Sequence, residues 1–222
     1  CFQTMDRFGV HAEACTGGGD QNVTHNEARD TVARQASQAG ARPQLEAAGL
    51  LHGQLAAGGR RPADVLLHNR VGIDTARNRQ FPKLALDLGV ICPQAQTHVR
   101  VAATKSAAAA DEYTTHKRER QQTDRLCEAA GIDYQPIVLE SLGAMPESAN
   151  RILRALNRRV AENTNASIEE VAKRFWTRLA IDLQRSGHRA FARRVAGIEA
   201  SLLQLCTTKA FNTAQLQQPD TQ

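Results

Sequence analysis

Apolar and polar residues alternate along the chain in an order that predicts a mixed α/β core followed by a helical region. Leu84–Cys92 is apolar on both faces, which predicts a strand in the centre of a sheet. Shorter strands are predicted near Gln44–Ala47 and at Arg61–Leu67. A further strand is predicted at Tyr134–Glu140, where Pro136 favours the edge of the sheet or the start of a strand.

Helices are predicted in three parts of the chain. The first runs from Thr24 to Ala39, and the second is one long helix from Lys105 to Ala130. From Pro146 onward the pattern is helical to Cys206, with a break at Gly187. We therefore divide the chain into an irregular segment with Cys and His (1–23), an α/β core (24–145), a helical annex (146–206) and a Gln- and Thr-rich tail (207–222) that we expect to be disordered.

Composition favours an intracellular protein that meets nucleic acid. Of the 28 basic residues, 23 are Arg, which binds phosphate through two parallel hydrogen bonds. The alternative explanation is a GC-rich genome, which raises the content of both Arg and Ala. The five cysteines are an odd number and no secretory signal precedes them, so we expect reduced thiols rather than a disulfide framework. No apolar run is long enough to span a membrane. Because the chain begins with Cys1, we interpret it as a piece of a longer protein.

Arginines are concentrated in the helical annex. Residues 151–194 hold ten Arg and one Lys against four acidic residues. The densest group is Arg151, Arg154, Arg158 and Arg159, all on one predicted helix. Contact with nucleic-acid phosphates is one interpretation of this group, and the solvated face of an amphipathic helix is the other.

Two aspartates are the strongest candidates for chemistry. Asp87 lies in the middle of the most apolar strand, where an unpaired carboxylate is costly, so it requires a metal, a basic partner or hydrogen bonds. Asp64 lies on the preceding strand, directly after Arg61, Pro62 and Ala63, and neighbouring strands could bring both carboxylates to one end of the sheet. Because two adjacent carboxylates repel each other, a cation such as Mg²⁺ would suit the pair. Taken singly, each aspartate has a structural explanation. Asp87 would be a core aspartate paired with an arginine, and Asp64 would be a cap at the end of a strand.

Lys117 is the third candidate. It lies four residues after Tyr113 on the predicted helix, so the two side chains share a face. A lysine beside a scissile phosphate orients the nucleophile and stabilises the charge that develops, although the charged neighbours of Lys117 also fit a solvated helix face. Glu140, at the end of the next strand, is a further acidic candidate.

The order of these motifs resembles the restriction-like endonuclease domain that closes the polyprotein of some non-LTR retrotransposons and related reverse-transcriptase-like proteins. The resemblance implies a PD-(D/E)xK nuclease core, a mixed sheet flanked by helices. In that core, Asp64 and Asp87 would hold Mg²⁺ or Mn²⁺, and Lys117 would position the attacking water or the phosphate. The chain departs from the motif, because Ala63 splits the Pro-Asp pair and no Glu-x-Lys follows Asp87. The matching parts are Arg61 to Asp64, Asp87, Tyr113 with Lys117, and Cys127 through Gly143.

The resemblance also implies a structural zinc site and several partners. Its cysteine–histidine segment would supply the zinc ligands. Without the resemblance, these cysteines and histidines are interpreted as scattered residues with no shared role. Glu27, one turn into the first helix, would face the active site. The implied partners are DNA, element RNA and an upstream reverse-transcriptase domain of the same polyprotein, in the nucleus. A DNA-nicking endonuclease is the favoured function; the alternatives are a catalytically inactive nucleic-acid-binding remnant and a repair or restriction nuclease. The implied zinc ligands are Cys1, His11, Cys15 and His25.

Overall fold

The structure is a computed structural model that describes residues 10–15, 19–51, 62–70, 72–73 and 81–215, without the side chains of residues 121 and 198–215. Cys1 and Arg61 therefore lie outside the described residues, as do residues 216–222 of the predicted tail. The helices are α1 (Val10–Ala14), α2 (Asp20–Gln38), α3 (Val99–Ala102), α4 (Ala108–Glu119), α5 (Thr123–Ala129), α6 (Glu147–Thr164) and α7 (Ile168–Gln215). The strands are β1 (Pro43–Leu45), β2 (Val65–Leu67), β3 (Lys83–Ile91) and β4 (Ile132–Glu140).

The four described strands form one mixed sheet in the order β1-β2-β3-β4. Strands β1, β2 and β3 pair antiparallel, whereas β3 and β4 are parallel and are joined by the helices α3 to α5. Strand β3 is interior to this sheet, as its apolar faces predict. Strand β4 is the last strand in this order. Proline has no backbone N–H to donate, and Pro136 is tolerated there because no further strand in this order pairs with the outer side of β4. The predicted α/β class is confirmed.

Helices cover both faces of the sheet. Alternate residues of β3 point to opposite faces, so the strand contributes to the core on each side. Leu84, Leu86 and Leu88 pack against α2, α6 and α7 in the main core. On the other face, Ala85 packs with Cys127 of α5, and Ile91 packs with the alanines of α4. The apolar stripe predicted for α7 joins the main core through Val171, Phe175 and Leu179, and Trp176 packs partly buried against it.

The long helix predicted from Lys105 to Ala130 is wrong. Two helices, α4 and α5, occupy this stretch, separated by a 3-10 turn at Arg120–Gln122, and Gln122 adopts a left-handed conformation with φ 57°. A straight helix of the predicted length would run for roughly 39 Å, whereas nine-residue strands span about 30 Å. The break therefore lets α4 and α5 each pack on the sheet.

The C-terminal region is more continuous than the sequence predicts. Gly187 does not end a helix, because it lies within α7, which continues to Gln215 and into the predicted disordered tail. Packing of α7 along α2 compensates for the low helix propensity of this glycine. The segment expected to be irregular also contains α1 and the first residues of α2. Among the described helices, none has the length and apolar character needed to cross a membrane.

Candidate active site

Asp64 and Asp87 lie at neighbouring positions of the sheet. Val65 pairs with Leu86, so the next position along this antiparallel ladder sets Asp64 opposite Asp87. The Asp64 amide donates a hydrogen bond to the Leu86 carbonyl at 3.0 Å, and the Asp64 carboxylate accepts one from the Leu88 amide at 2.7 Å. Because side chains alternate along each strand, both carboxylates are on the face that α4 and α5 cover.

Lys117 of α4 contacts the second of these aspartates, Asp87. Its ammonium group donates to Asp87 Oδ1 at 2.6 Å and to the Leu88 carbonyl at 2.7 Å. The side chain reaches the strand because Gly89 leaves room for it: a β-carbon added to Gly89 would lie 3.0 Å from Lys117 Cε. The structure thus brings together three of the five residues that sequence reasoning selected for catalysis, Asp64, Asp87 and Lys117.

Tyr134 of β4 holds the second oxygen of the Asp87 carboxylate. Its hydroxyl donates to Asp87 Oδ2 and is buried with the rest of the side chain. Burial raises the pKa of Asp87, and the nearby charge and hydrogen bond of Lys117 and the Tyr134 hydroxyl offset this only in part. Burial, together with the charge of Asp87, also raises the pKa of Tyr134, so its hydroxyl keeps its proton and acts as a donor.

His25 of α2 holds Asp64. Its Nε2 lies 3.0 Å from Asp64 Oδ2, the same oxygen that accepts from the Leu88 amide. The hydrogen bond to Asp64 raises the pKa of His25 against the opposing effect of burial. Burial also acts to raise the pKa of Asp64, but the hydrogen bonds from His25 and Leu88 outweigh it, so this pKa lies below its ordinary value.

Three aromatic rings extend from the lysine toward the surface. Tyr113 lies one turn before Lys117, whose Nζ is 5.9 Å from the centre of the tyrosine ring. The ring of His116 stacks on Tyr113, with centroids 5.8 Å apart and planes inclined by 27°. His98 meets Tyr113 edge-on at 6.2 Å. The carboxylate–lysine group therefore has an aromatic wall on its α4 side.

Two other acidic residues predicted for the site lie elsewhere. Glu27 accepts hydrogen bonds from Ser186 and Arg189 and so ties α2 to α7. Glu140 pairs with Ile91, four positions beyond the pairing of Asp87 with Pro136, which is about 13 Å along the strand. Its carboxylate accepts from the Ala110 amide at 3.4 Å, near the start of α4. Both carboxylates are held by partners that the sequence alone does not identify, because those partners are far away along the chain.

The implied zinc ligands are only partly described. His11 and Cys15 lie at α1, where the Cys15 amide donates to the His11 carbonyl at 3.0 Å. His25 contacts Asp64 instead of a cysteine. Within the described ranges, no three His, Cys, Asp or Glu side chains are arranged as a metal-binding group. Since Cys1 lies outside those ranges, the zinc site stays a prediction.

The arginines of α6 separate into two kinds. Arg151, Arg154 and Arg158 are exposed, and their spacing puts them along one side of the helix. Arg159 is half-buried and pairs with Glu162 at 2.5 Å, so it does not belong to the predicted cluster. Helix α6 packs on the sheet face opposite Asp87. The three exposed arginines therefore cannot contact the same phosphate group as Lys117.

Sequence reasoning missed Tyr134 and Gly89 as parts of the site and gave His25 another role. The signal for Tyr134 was its position in a buried strand, since a buried tyrosine hydroxyl requires a polar partner. The signal for Gly89 was a glycine within an otherwise apolar strand, which often marks the close approach of another group. No sequence signal pairs His25 with Asp64, because the contact spans 39 residues.

The oxygen atoms at the site suit a hard divalent cation. Asp64, Asp87 and the Leu88 carbonyl supply carboxylate and carbonyl oxygens, the donors that Mg²⁺ and Mn²⁺ prefer. The ammonium group of Lys117 already lies between Asp87 and the Leu88 carbonyl, so these oxygens accept a positive charge. The residues present therefore fit a metal of this class.

Comparison with known proteins gives no family assignment. The chain matches no protein-family model, and no curated protein is significantly similar to it. The functional argument therefore depends on the geometry of the site.

Proposed function

We propose that the chain is a metal-dependent endonuclease domain that nicks DNA. The observation that carries this proposal is the convergence of Asp64, Asp87 and Lys117 on one face of the sheet. Carboxylates from two adjacent strands with a lysine beside them suit metal-dependent hydrolysis of a phosphodiester, because the carboxylates can hold a divalent cation and the lysine can stabilise the negative charge that develops on the phosphate.

Each residue of the group has a distinct task. Asp64 and Asp87 would hold Mg²⁺ or Mn²⁺, which when bound polarises the phosphate and lowers the pKa of water. The ammonium group of Lys117 donates to the Leu88 carbonyl in the free protein. With DNA bound, it could donate to a phosphate oxygen instead and stabilise the negative charge that develops there. Tyr134 and His25 fix the orientation of the two carboxylates. The exposed arginines of α6 would contact phosphates farther along the DNA.

The connection to reverse transcription is part of the same proposal. It is supported by the order of the sequence motifs that resemble the retrotransposon endonuclease domain. In that setting, the nick leaves a 3′-hydroxyl that an upstream polymerase domain extends, with element RNA as the template. Zinc binding by the cysteine–histidine segment belongs to this setting too.

A plasmid-nicking assay tests the proposal. The chain should convert supercoiled plasmid to open circles with Mg²⁺ or Mn²⁺ and should stop when EDTA is added. Asp87→Asn should abolish nicking and leave DNA affinity nearly unchanged, because affinity comes mainly from arginine–phosphate contacts. Lys117→Ala should lower the nicking rate by about 100-fold or more, since it removes a charge where negative charge develops.

Asp111→Asn is the matched control. Asp111 is a carboxylate of α4 that pairs with Lys105 at 3.0 Å on the surface, so its loss should leave nicking unchanged. Thermal unfolding of each variant separates loss of chemistry from loss of fold, and Asp64→Asn provides a second site variant. A protein that binds DNA but fails to nick it with any divalent metal would refute the endonuclease proposal.

A binding module without catalysis is the second candidate. One observation favours it: both carboxylates already have basic partners in the protein, His25 for Asp64 and Lys117 for Asp87, so the fold needs no metal to neutralise them. A module of this kind would bind DNA equally well with Mg²⁺ and with EDTA. Its affinity would be insensitive to Asp64→Asn and Asp87→Asn.

A further inference from the structure

The aromatic wall beside Lys117 has an exposed end. Tyr113 is half-buried and packs against the cluster formed by Ile91, Ala109, Ala110 and Val138. His116 is exposed, directly precedes Lys117 in α4, and stacks on the Tyr113 ring. The wall therefore begins at the core, passes the candidate catalytic lysine and ends in an imidazole ring at the surface.

The ring of His116 is oriented by stacking. Among the described residues, its hydrogen-bonding atoms make no hydrogen bond or ion pair. Tyr113 is itself held by His98, whose ring meets it edge-on at 81°, and a β-carbon added to Gly89 would lie 3.4 Å from the Tyr113 ring. A planar group at the surface, supported by a second ring and placed beside a cationic side chain, is a platform on which another planar group can stack.

A nucleobase is the planar group that the site chemistry favours. A DNA strand whose phosphate contacts Lys117 would bring a flanking nucleotide to this wall, because the Tyr113 ring lies 5.9 Å from Lys117 Nζ and the His116 ring stacks on it. Within a duplex, both faces of each base are covered by adjacent base pairs, so only an unpaired or flipped base offers a free face. The wall therefore suits a strand that is unpaired next to the phosphate at Lys117.

We propose that His116, supported by Tyr113, is a stacking site for an unpaired nucleobase that flanks the phosphate held at Lys117. The inference rests on the proposed endonuclease function and adds a substrate class to it: DNA that is single-stranded or opened at the site of the nick. In this arrangement His116 is a binding residue, and Tyr113 positions it.

The test compares single-stranded DNA with a duplex of the same sequence. Affinity is measured by fluorescence anisotropy in Ca²⁺, and stacking is measured by the quenching of 2-aminopurine placed in the single strand. His116→Ala should weaken single-strand binding by about 5- to 150-fold and relieve the quenching, because each base–aromatic stack contributes that much. Duplex affinity should not change.

Two further variants isolate stacking. His116→Phe keeps a planar ring and should retain both the affinity and the quenching. Thr115→Ala changes an exposed neutral neighbour on α4 and should have no effect. The inference is overturned if His116→Ala leaves single-strand affinity unchanged, if it weakens duplex binding equally, or if His116→Phe behaves like His116→Ala.

The binding assay is independent of cutting. A chain that never nicks but loses single-strand affinity in His116→Ala would refute the endonuclease function and support the stacking site. A chain that nicks, with single-strand affinity indifferent to His116, would support the endonuclease function and refute the stacking site.

Discussion

Lys117 of α4 occupies the space that a side chain at Gly89 of β3 would fill. A β-carbon added to Gly89 would lie 3.0 Å from Lys117 Cε and 3.7 Å from Lys117 Nζ. Gly89 stands two residues after Asp87, where a PD-(D/E)xK motif would carry its lysine. Helix α4 therefore supplies, through Lys117, the ammonium group that β3 would supply if residue 89 were a lysine.

The first prediction is that the lysine can be moved back to the strand. Lys117→Ala should lose nicking, and adding Gly89→Lys to it should restore much of the activity, because the new ammonium group lies beside Asp87. Gly89→Lys alone should be less active than the double variant, since two cationic side chains then compete for one space. Nicking rates of the three variants, with DNA affinity measured in parallel, check this. Equal inactivity of the single and double variants would show that the helix position itself is required.

The second prediction concerns the hydroxyl of Tyr134. Tyr134→Phe removes a donor from the buried Asp87 carboxylate, so the free energy of unfolding should fall by about 1 to 2 kcal/mol. Urea unfolding at neutral pH measures the change. Tyr113→Phe is the matched control, because the Tyr113 hydroxyl makes no hydrogen bond among the described residues, and its stability should stay within about 0.5 kcal/mol. An equal loss in both variants would mean that the contact with Asp87 contributes nothing specific.

The third prediction separates the arginines of α6. Replacing Arg151, Arg154 and Arg158 together by Gln should weaken DNA binding and reduce the slope of log affinity against log salt by about 2.7, or 0.9 for each lost phosphate contact. Arg159→Gln should leave the slope unchanged, because Arg159 pairs with Glu162. Metal-dependent nicking at saturating DNA should persist in the triple variant, since α6 lies across the sheet from Asp87. An unchanged slope in the triple variant would place the DNA elsewhere.

Local patterns predicted the parts of the fold that depend on neighbours along the chain. The apolar run around Asp87 identified the interior strand, and the unusual cost of a carboxylate in that run identified the residue itself. Asp64 followed from the same reasoning, because adjacent strands in an α/β core bring their polar ends together. Lys117 was selected from its helix face and the motif order, and the structure places it at Asp87.

What the sequence did not predict depends on contacts between distant segments. His25 binds Asp64 only because α2 crosses the strand there, and Glu27, two residues later, is turned toward α7 instead. The break at Gln122 has no glycine or proline to mark it, because the left-handed residue there is a glutamine. Gly187 shows the reverse, because packing keeps α7 helical through a residue that usually weakens a helix.

The last prediction concerns the thiol of Cys127. This side chain belongs to α5 and is fully buried, and burial, reinforced by the charges of Asp124 and Asp87, raises the pKa of Cys127 to about 12 from an ordinary value of 9.0. Between these two values the unfolded chain loses the thiol proton while the folded chain keeps it. The free energy of unfolding should therefore fall as the pH rises above about 9, by up to roughly 1.4 kcal/mol for each pH unit from this group alone.

Urea unfolding of the wild-type chain and of Cys127→Ala, at pH 8 and at pH 10, isolates this contribution, because the other groups that titrate in this range are common to both chains. The wild-type chain should lose more stability between the two pH values than the variant does. Alkylation with iodoacetamide gives an independent measure: the peptide that contains Cys127 should stay unmodified in the folded protein at pH 8 and react once urea unfolds it. Rapid alkylation of the folded chain, or identical pH dependence in both chains, would contradict the burial of this thiol.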